Sequence, residues 1–145
     1  MSISMTVPEL IEQMNLHAPP ALATLGGTLV SFDEETGIAE MHFSADSSLC
    51  HSGDIVQGGF LAGMLDAAMA HAVFASLKSQ VIVATLEIKV SYLEIARAGP
   101  IVARGWIRRK GKTISFLEAE LYADDGTLLS KASSTARIIQ RAPGE

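Results

Sequence analysis

Asp66 is the residue whose position in this sequence most needs a physical explanation. It stands inside QGGFLAGMLDAAMAHAVFASL, a proline-free run of helix formers, with Ala62, Met69, Ala70 and Val73 at the spacings that share its helical face. A carboxylate there gains nothing from helix propensity and loses hydration. Two chemistries fit the position. One is a carboxylate satisfied by a buried hydroxyl or amide, or facing a solvent gap; the other is a general base or nucleophile. Eight residues upstream, the pair Gly58-Gly59 stands where a loop becomes the helix, so the N–H groups of the first turn point outward with the positive end of the helix dipole. Such a site suits an oxyanion or a phosphate, and a glycine pair there also fits a plain tight turn. Neither GxxxxGK[ST] nor GxGxxG with its acidic partner surrounds the pair, so the phosphate-cradle readings fall away.

The remaining reactive side chains are less pointed. His17, His42 and His71 show no HExxH spacing, and one cysteine cannot build a zinc cluster, so no metal is expected. Cys50 has no activating motif around it and reads as a small filler. Arg108, Arg109, Lys110 and Lys112 flank a KGK turn as the dense basic group of the chain, which by itself describes a solvated hairpin tip.

The elements that must carry these residues follow from the pattern. Thr6 to Met14 fits a short amphipathic helix with Pro8 in its first turn, a lid or packing element. GGTLVSFD and IAEMHFSA, joined by EETG, read as a β-hairpin. A Ser-, Gly- and Asp-rich loop, SADSSLCHSGD, leads into the one long helix. After Lys78 come four β-like runs, VIVATLEIKVSYL, PIVARGWIRR, TISFLEAELYA and TLLSKASSTARII, punctuated by ARAGP, KGK and DDG. Strands segregated from one helix argue for an α+β protein with an antiparallel sheet on that helix. Because Phe60, Leu61, Met64, Leu65, Met69, Ala72, Val73 and Phe74 spread around the whole helix, it is expected to be buried on all sides, with the sheet curled around it: the hotdog architecture. No repeat or linker divides the chain, so residues 1–145 are expected to form one domain.

With 145 residues, 11 basic against 16 acidic side chains and a net charge of −5, the chain lacks the basic field that attracts nucleic acid or anionic membrane. MSISMTVPELIEQMN has no signal-peptide pattern, and the apolar stretch around LAGMLDAAMAHAVFA, broken by Asp66 and His71, reads as too short to span a bilayer comfortably. Together with the single cysteine this predicts a cytoplasmic protein without nucleic-acid or membrane partners.

HSGDIVQGGFLAGMLDAAMA resembles the matching segment of the PaaI-type thioesterases of the 4-hydroxybenzoyl-CoA thioesterase superfamily, where a small-residue helix opens at two glycines and carries Asp or Glu eight residues after the first. ATLEIKVSYLEIARAGP and KGKTISFLEAELYADDGTLLSKASSTARII are similar to the strands that follow, and the likeness runs from Gly26 to Ile139. The resemblance implies hydrolysis of an acyl-CoA to free acid and CoA without a cofactor. In it the Gly58 N–H polarises the thioester carbonyl, Asp66 attacks or activates water, and Thr85 supplies a hydroxyl that orients the water or the carboxylate. By alternation alone Thr85 shares an exposed strand face with Glu87, Lys89 and Ser91. Two positions depart from the family pattern: His51 stands where Asn or Gln is frequent, and Gln57 where His is common. His51 then either donates to the thioester oxygen or holds a water, or is a surface loop histidine. The resemblance further implies that Gly59 and the basic Arg109, Lys110 and Lys112 bind the substrate, the latter through CoA phosphates.

Gly58 and Asp66 are separated by about 12 Å of helical rise, too far for both to contact one carbonyl from the same helix. If both act on one thioester, they come from two chains whose helices pack antiparallel about a two-fold axis. The resemblance implies the same, a homodimer or a dimer of dimers with sites at the interface. Two other functions stay open: a non-catalytic acyl-CoA binding protein, and a hotdog hydratase or dehydratase, whose DxNPxH-like motif is absent. The acyl group itself is not legible.

Overall fold

The computed structural model describes residues 5–78 and 81–141. Its first helix, α1 (Val7–Leu16), begins at a capping box: the Thr6 hydroxyl accepts from the Glu9 N–H at 3.3 Å, and the Glu9 carboxylate accepts from the Thr6 N–H at 3.2 Å. It is a packing element. Leu10 is buried, and the Asn15 amide brackets Leu29 in strand β1 (Gly27–Phe32), donating to its carbonyl and accepting from its N–H, both at 2.9 Å. That bond pair occupies the free edge of β1.

A second helix, α2 (Pro20–Leu25), had no counterpart in the sequence pattern; six residues are too few to display a period, and only its N1 proline announces it. The expected hairpin forms from β1 and β2 (Ala39–Ala45). The Ser-rich loop is more ordered than its composition suggests. A 3-10 turn, Ser47–Leu49, passes into a small ribbon of β3 (Cys50–Ser52) and β4 (Ile55–Val56), which delivers the chain to α3 (Gly58–Leu77). Four long strands follow: β5 (Val81–Tyr92), β6 (Gly99–Lys110), β7 (Ile114–Ala123) and β8 (Leu128–Gln140).

Six strands make one antiparallel sheet in the order β1-β2-β6-β7-β8-β5, and α3 packs against all six. Alternation explains why: Ser115, Leu117, Ala119 and Leu121 of β7 are buried toward the helix, while Phe116, Glu118, Glu120 and Tyr122 face away. Contact is closest at Gly105 in β6, where a Cβ would lie 2.4 Å from the Ala68 carbonyl oxygen, so no other residue fits. This is the hotdog architecture expected from the sequence.

One expectation about the helix is corrected. It is not buried on all sides: Gly59, Ala62, Gly63, Asp66, Ala67, Ala70 and Phe74 form a partly or fully exposed stripe, because one sheet covers one side of a helix and a single chain leaves the other open. The helix is also longer than the apolar stretch read from the sequence. Its 20 residues, which include an 18-residue window of mean hydropathy 1.5, suffice by length and composition to cross a bilayer. Here Leu61, Met64, Leu65, Met69 and Val73 are instead buried in the domain core.

His71 sits on the buried side of α3, 3% exposed, its Nδ1–H donating to the Ala67 carbonyl at 2.8 Å and its ring edge-on to Phe74 at 5.5 Å. Burial pushes its pKa below the usual 6.5, and the hydrogen bond to Ala67 only partly opposes this. Above 6.5 both folded and unfolded chains hold a neutral ring; below it the unfolded chain takes up a proton that the folded chain resists. Stability is therefore expected to fall as pH drops from 7 toward 5, and the His71→Leu protein should lose much of that slope. Urea titrations at several pH values measure both.

Candidate active site

Asp66 opens onto the exposed stripe of α3, and its carboxylate has one partner: the Thr85 hydroxyl donates to Oδ1 at 2.8 Å. The carboxylate is thus hydrogen-bonded to a hydroxyl and faces solvent, the two forms of the non-catalytic reading made from the sequence. The strand is irregular just beyond Thr85. Thr85 pairs with Ala136 and Glu87 with Thr135, so Leu86 is an extra residue and β5 carries a one-residue bulge. The alternation read from the sequence is corrected here. Thr85 does not share a face with Glu87 and Lys89; it points to the helix side, as do Ile88, Val90 and Tyr92 beyond the bulge.

Tyr92 is the site residue that sequence reasoning missed. Its hydroxyl donates to the Gly58 carbonyl at 2.6 Å, and its ring lies where a Cβ on Gly58 would be, 3.1 Å from Cζ. A Cβ on Gly58 would press the Tyr92 ring back by a few tenths of an ångström, and the Tyr92 hydroxyl ties β5 to the first turn of α3. No alternation pattern could have found it without knowledge of the bulge. Gly59 is exposed with nothing within 4 Å of its Cβ position, which leaves the helix start open to an incoming group.

Gln57 is the N-cap of α3, but its side chain makes no capping bond and is exposed. His51 lies on β3, exposed, with Nδ1 2.8 Å from the Ser52 hydroxyl. The ribbon brings this strand to the helix start, since the Gln57 N–H donates to the Leu49 carbonyl at 2.9 Å. Beside Gly58 an apolar groove of about 350 Å³ is lined by Ile55, Val56, Leu61, Tyr92, Leu93 and Ile95 among others.

The basic residues divide between the two faces of the sheet. Lys110 and Lys112 line a groove of about 500 Å³ at the C-terminal end of α3, joined by Leu77, Thr113 and, from the outer face of β8, Arg137, which was not anticipated from the sequence. A second bulge, at Arg108, turns Arg109 to the opposite face, opposite exposed Phe116. On that outer face Glu40 accepts from Arg104 at 3.0 Å and lies 3.1 Å from His42; partial burial raises its pKa, but these two partners outweigh that and hold it below the ordinary value. Among the described residues no group of three or more His, Cys, Asp or Glu side chains is placed to hold a metal ion.

A six-stranded antiparallel sheet packed on one long helix defines a hotdog protein. The profile of the thioesterase superfamily matches residues 53–130. Among solved structures, a phenylacetic acid degradation-related protein from Ralstonia eutropha JMP134 is 30% identical, with 88% of this chain and 98% of that chain covered and a TM-score of 0.78. The PaaI protein of the E. coli phenylacetic acid degradation operon gives 19% identity, 92% and 96% coverage and a TM-score of 0.77. Thioesterase HI1161 from Haemophilus influenzae gives 18%, 99% and 97%, and 0.80. No curated protein sequence matches the chain. The chain belongs to the thioesterase superfamily, in its PaaI-like hotdog branch, and its reaction class is thioester hydrolysis.

Proposed function

We propose that this protein hydrolyses an acyl-CoA, adding water to the thioester carbonyl and releasing a carboxylic acid and CoA. The observation that carries the reading is the Asp66–Thr85 pair, a hydrogen-bonded carboxylate on the exposed stripe of an otherwise apolar helix. Thr85 holds Oδ1 and leaves Oδ2 free. As general base, Asp66 takes a proton from water as the water oxygen bonds to the carbonyl carbon; when the C–S bond breaks, the thiolate leaves with that proton. As nucleophile, the free carboxylate oxygen bonds to the carbonyl carbon and the C–S bond breaks, giving an anhydride and CoA thiolate; water then opens the anhydride, freeing the acid and the Asp66 carboxylate, and the proton it releases goes to the thiolate. In both, the negative charge on the carbonyl oxygen is met by first-turn N–H groups at Gly58, strengthened by the helix dipole. Gly59 leaves room for approach, and His51 and Gln57 supply polar groups at the rim.

The site is completed by a second copy of the chain. Gly58 and Asp66 remain about 12 Å apart along one helix. Two features support an antiparallel pair: the small-residue stripe on α3, and the outer edge of β5, a long strand at the end of the sheet whose free side is not occupied, among the described residues, as that of β1 is. Within one chain the Lys110, Lys112 and Arg137 groove begins at Leu77, eleven residues or about 16 Å beyond Asp66, a distance suited to a pantetheine arm with phosphates at its far end.

Hydrolysis of a panel of aromatic, short-, medium- and long-chain acyl-CoAs, followed by thiol release, tests the proposal; inactivity across the whole panel would overturn it in favour of a binding protein. Neutralising Lys110, Lys112 and Arg137 together is expected to raise KM for CoA esters about tenfold or more, with little change for esters of a truncated thiol carrier. Arg109→Gln, at a residue that does not line the groove, measured beside it shows whether that residue contributes. Equal effects on both carriers would make the groove a solvated surface.

A further inference from the structure

The bulge in β5 reconciles two requirements that a regular strand cannot meet. With strict alternation from Val81 and Val83 through Thr85, the residues facing the helix would be Glu87, Lys89 and Ser91, which would put charges over α3 and turn Tyr92 away from Gly58. One extra residue, Leu86, lets Thr85 meet Asp66 while Ile88, Val90 and Tyr92 also face inward. Across the ladder β8 runs without interruption, presenting Ala136, Ser134, Ala132 and Ser130, all buried, opposite Thr85, Ile88, Val90 and Tyr92.

A bulge disrupts the backbone ladder locally, and what fixes its position is whatever binds the displaced peptide groups. Here the Ser134 hydroxyl donates to the Glu87 carbonyl, the residue that closes the bulge, at 2.9 Å. Ser134 is 5% exposed, so water does not compete freely for that carbonyl. The bond is particular to this position. Two other serines buried on the same side of the sheet, Ser115 and Ser130, have hydroxyls without any partner.

We infer that Ser134 is a positioning residue for catalysis: its hydroxyl holds the β5 bulge and thereby aims the Thr85 hydroxyl at Asp66. The inference rests on the reading of Asp66 as the catalytic carboxylate. Ser134→Ala removes one buried oxygen and leaves the core hydrophobic, so the protein is expected to fold. With the best acyl-CoA of the panel, Thr85→Val and Ser134→Ala are each expected to lower kcat about tenfold, with KM within about twofold. Because Ser134 acts through Thr85, the double variant should fall no more than about twofold below Thr85→Val. Ser134→Thr, which keeps the hydroxyl, should recover most of the rate; if it does not fold, the double-variant cycle decides alone. Wild-type kcat in Ser134→Ala, or single effects that multiply to about a hundredfold in the double variant, would overturn the inference. Asp66→Asn measured in parallel separates the two ideas: full turnover there defeats the catalytic reading itself, whereas an inactive Asp66→Asn beside an unaffected Ser134→Ala defeats only the role of Ser134.

Discussion

Asp66→Asn is expected to fold as the parent does and to lose about 10²- to 10⁴-fold in kcat. The asymmetry follows from the site. The Thr85 hydroxyl donates to Asp66 at 2.8 Å, and the carbonyl oxygen of an asparagine accepts the same bond, so the packing of β5 on α3 is kept. The side chain is partly exposed, so removing its charge should change stability by no more than about 1 kcal/mol. What disappears is the second oxygen as proton acceptor or nucleophile. Thiol release under saturating acyl-CoA reads the rate, and urea unfolding reads the stability. A folded variant with parental kcat would remove Asp66 from the mechanism.

The second large effect is recovery of activity by mixing two impaired proteins. Gly58→Val places a branched side chain where a Cβ alone would lie 3.1 Å from the Tyr92 ring, so the ring loses its bond to the Gly58 carbonyl or the first turn of α3 and its N–H groups shift. Asp66→Asn lacks the carboxylate. If one site takes Gly58 from one chain and Asp66 from its partner, about half the dimers in a random mixture are hybrids, and each hybrid holds one intact site, so about a quarter of all sites recover. Both parents must be impaired alone, and native mass spectrometry must show hybrids. Activity that never exceeds the mean of the parents, with hybrids present, places both groups in one chain and ends the shared-site proposal.

Much of the fold was legible because its signals are local. Thr6, Pro8 and Glu9 write the start of α1, turn residues separate the later strands, and a proline-free run between Gln57 and Lys78 leaves little choice but a helix. Asp66 was conspicuous for a similar reason: a charge among alanines and methionines contradicts its surroundings, and such contradictions gather at functional sites. The short helix at Pro20–Leu25 and the ribbon of β3 and β4 escaped notice because neither is long enough to show a period.

What the sequence determined by itself, then, is the long elements, their order and the two chemically pointed positions, Gly58 and Asp66. Only the tertiary structure decided which side chains meet them. Thr85 and Tyr92 face the same side of β5 because one extra residue, Leu86, resets the alternation between them, and that bulge exists only against the register of β8. Arg109 lies on the outer face and Lys110 on the inner, rather than the reverse, because of a bulge at Arg108 set against β7. Arg137 joins the basic groove from a strand 25 residues later in the chain than Lys112. Alternation is a property of one strand, whereas a bulge is a property of two, and no pattern along a single segment records which residue of its partner it will skip.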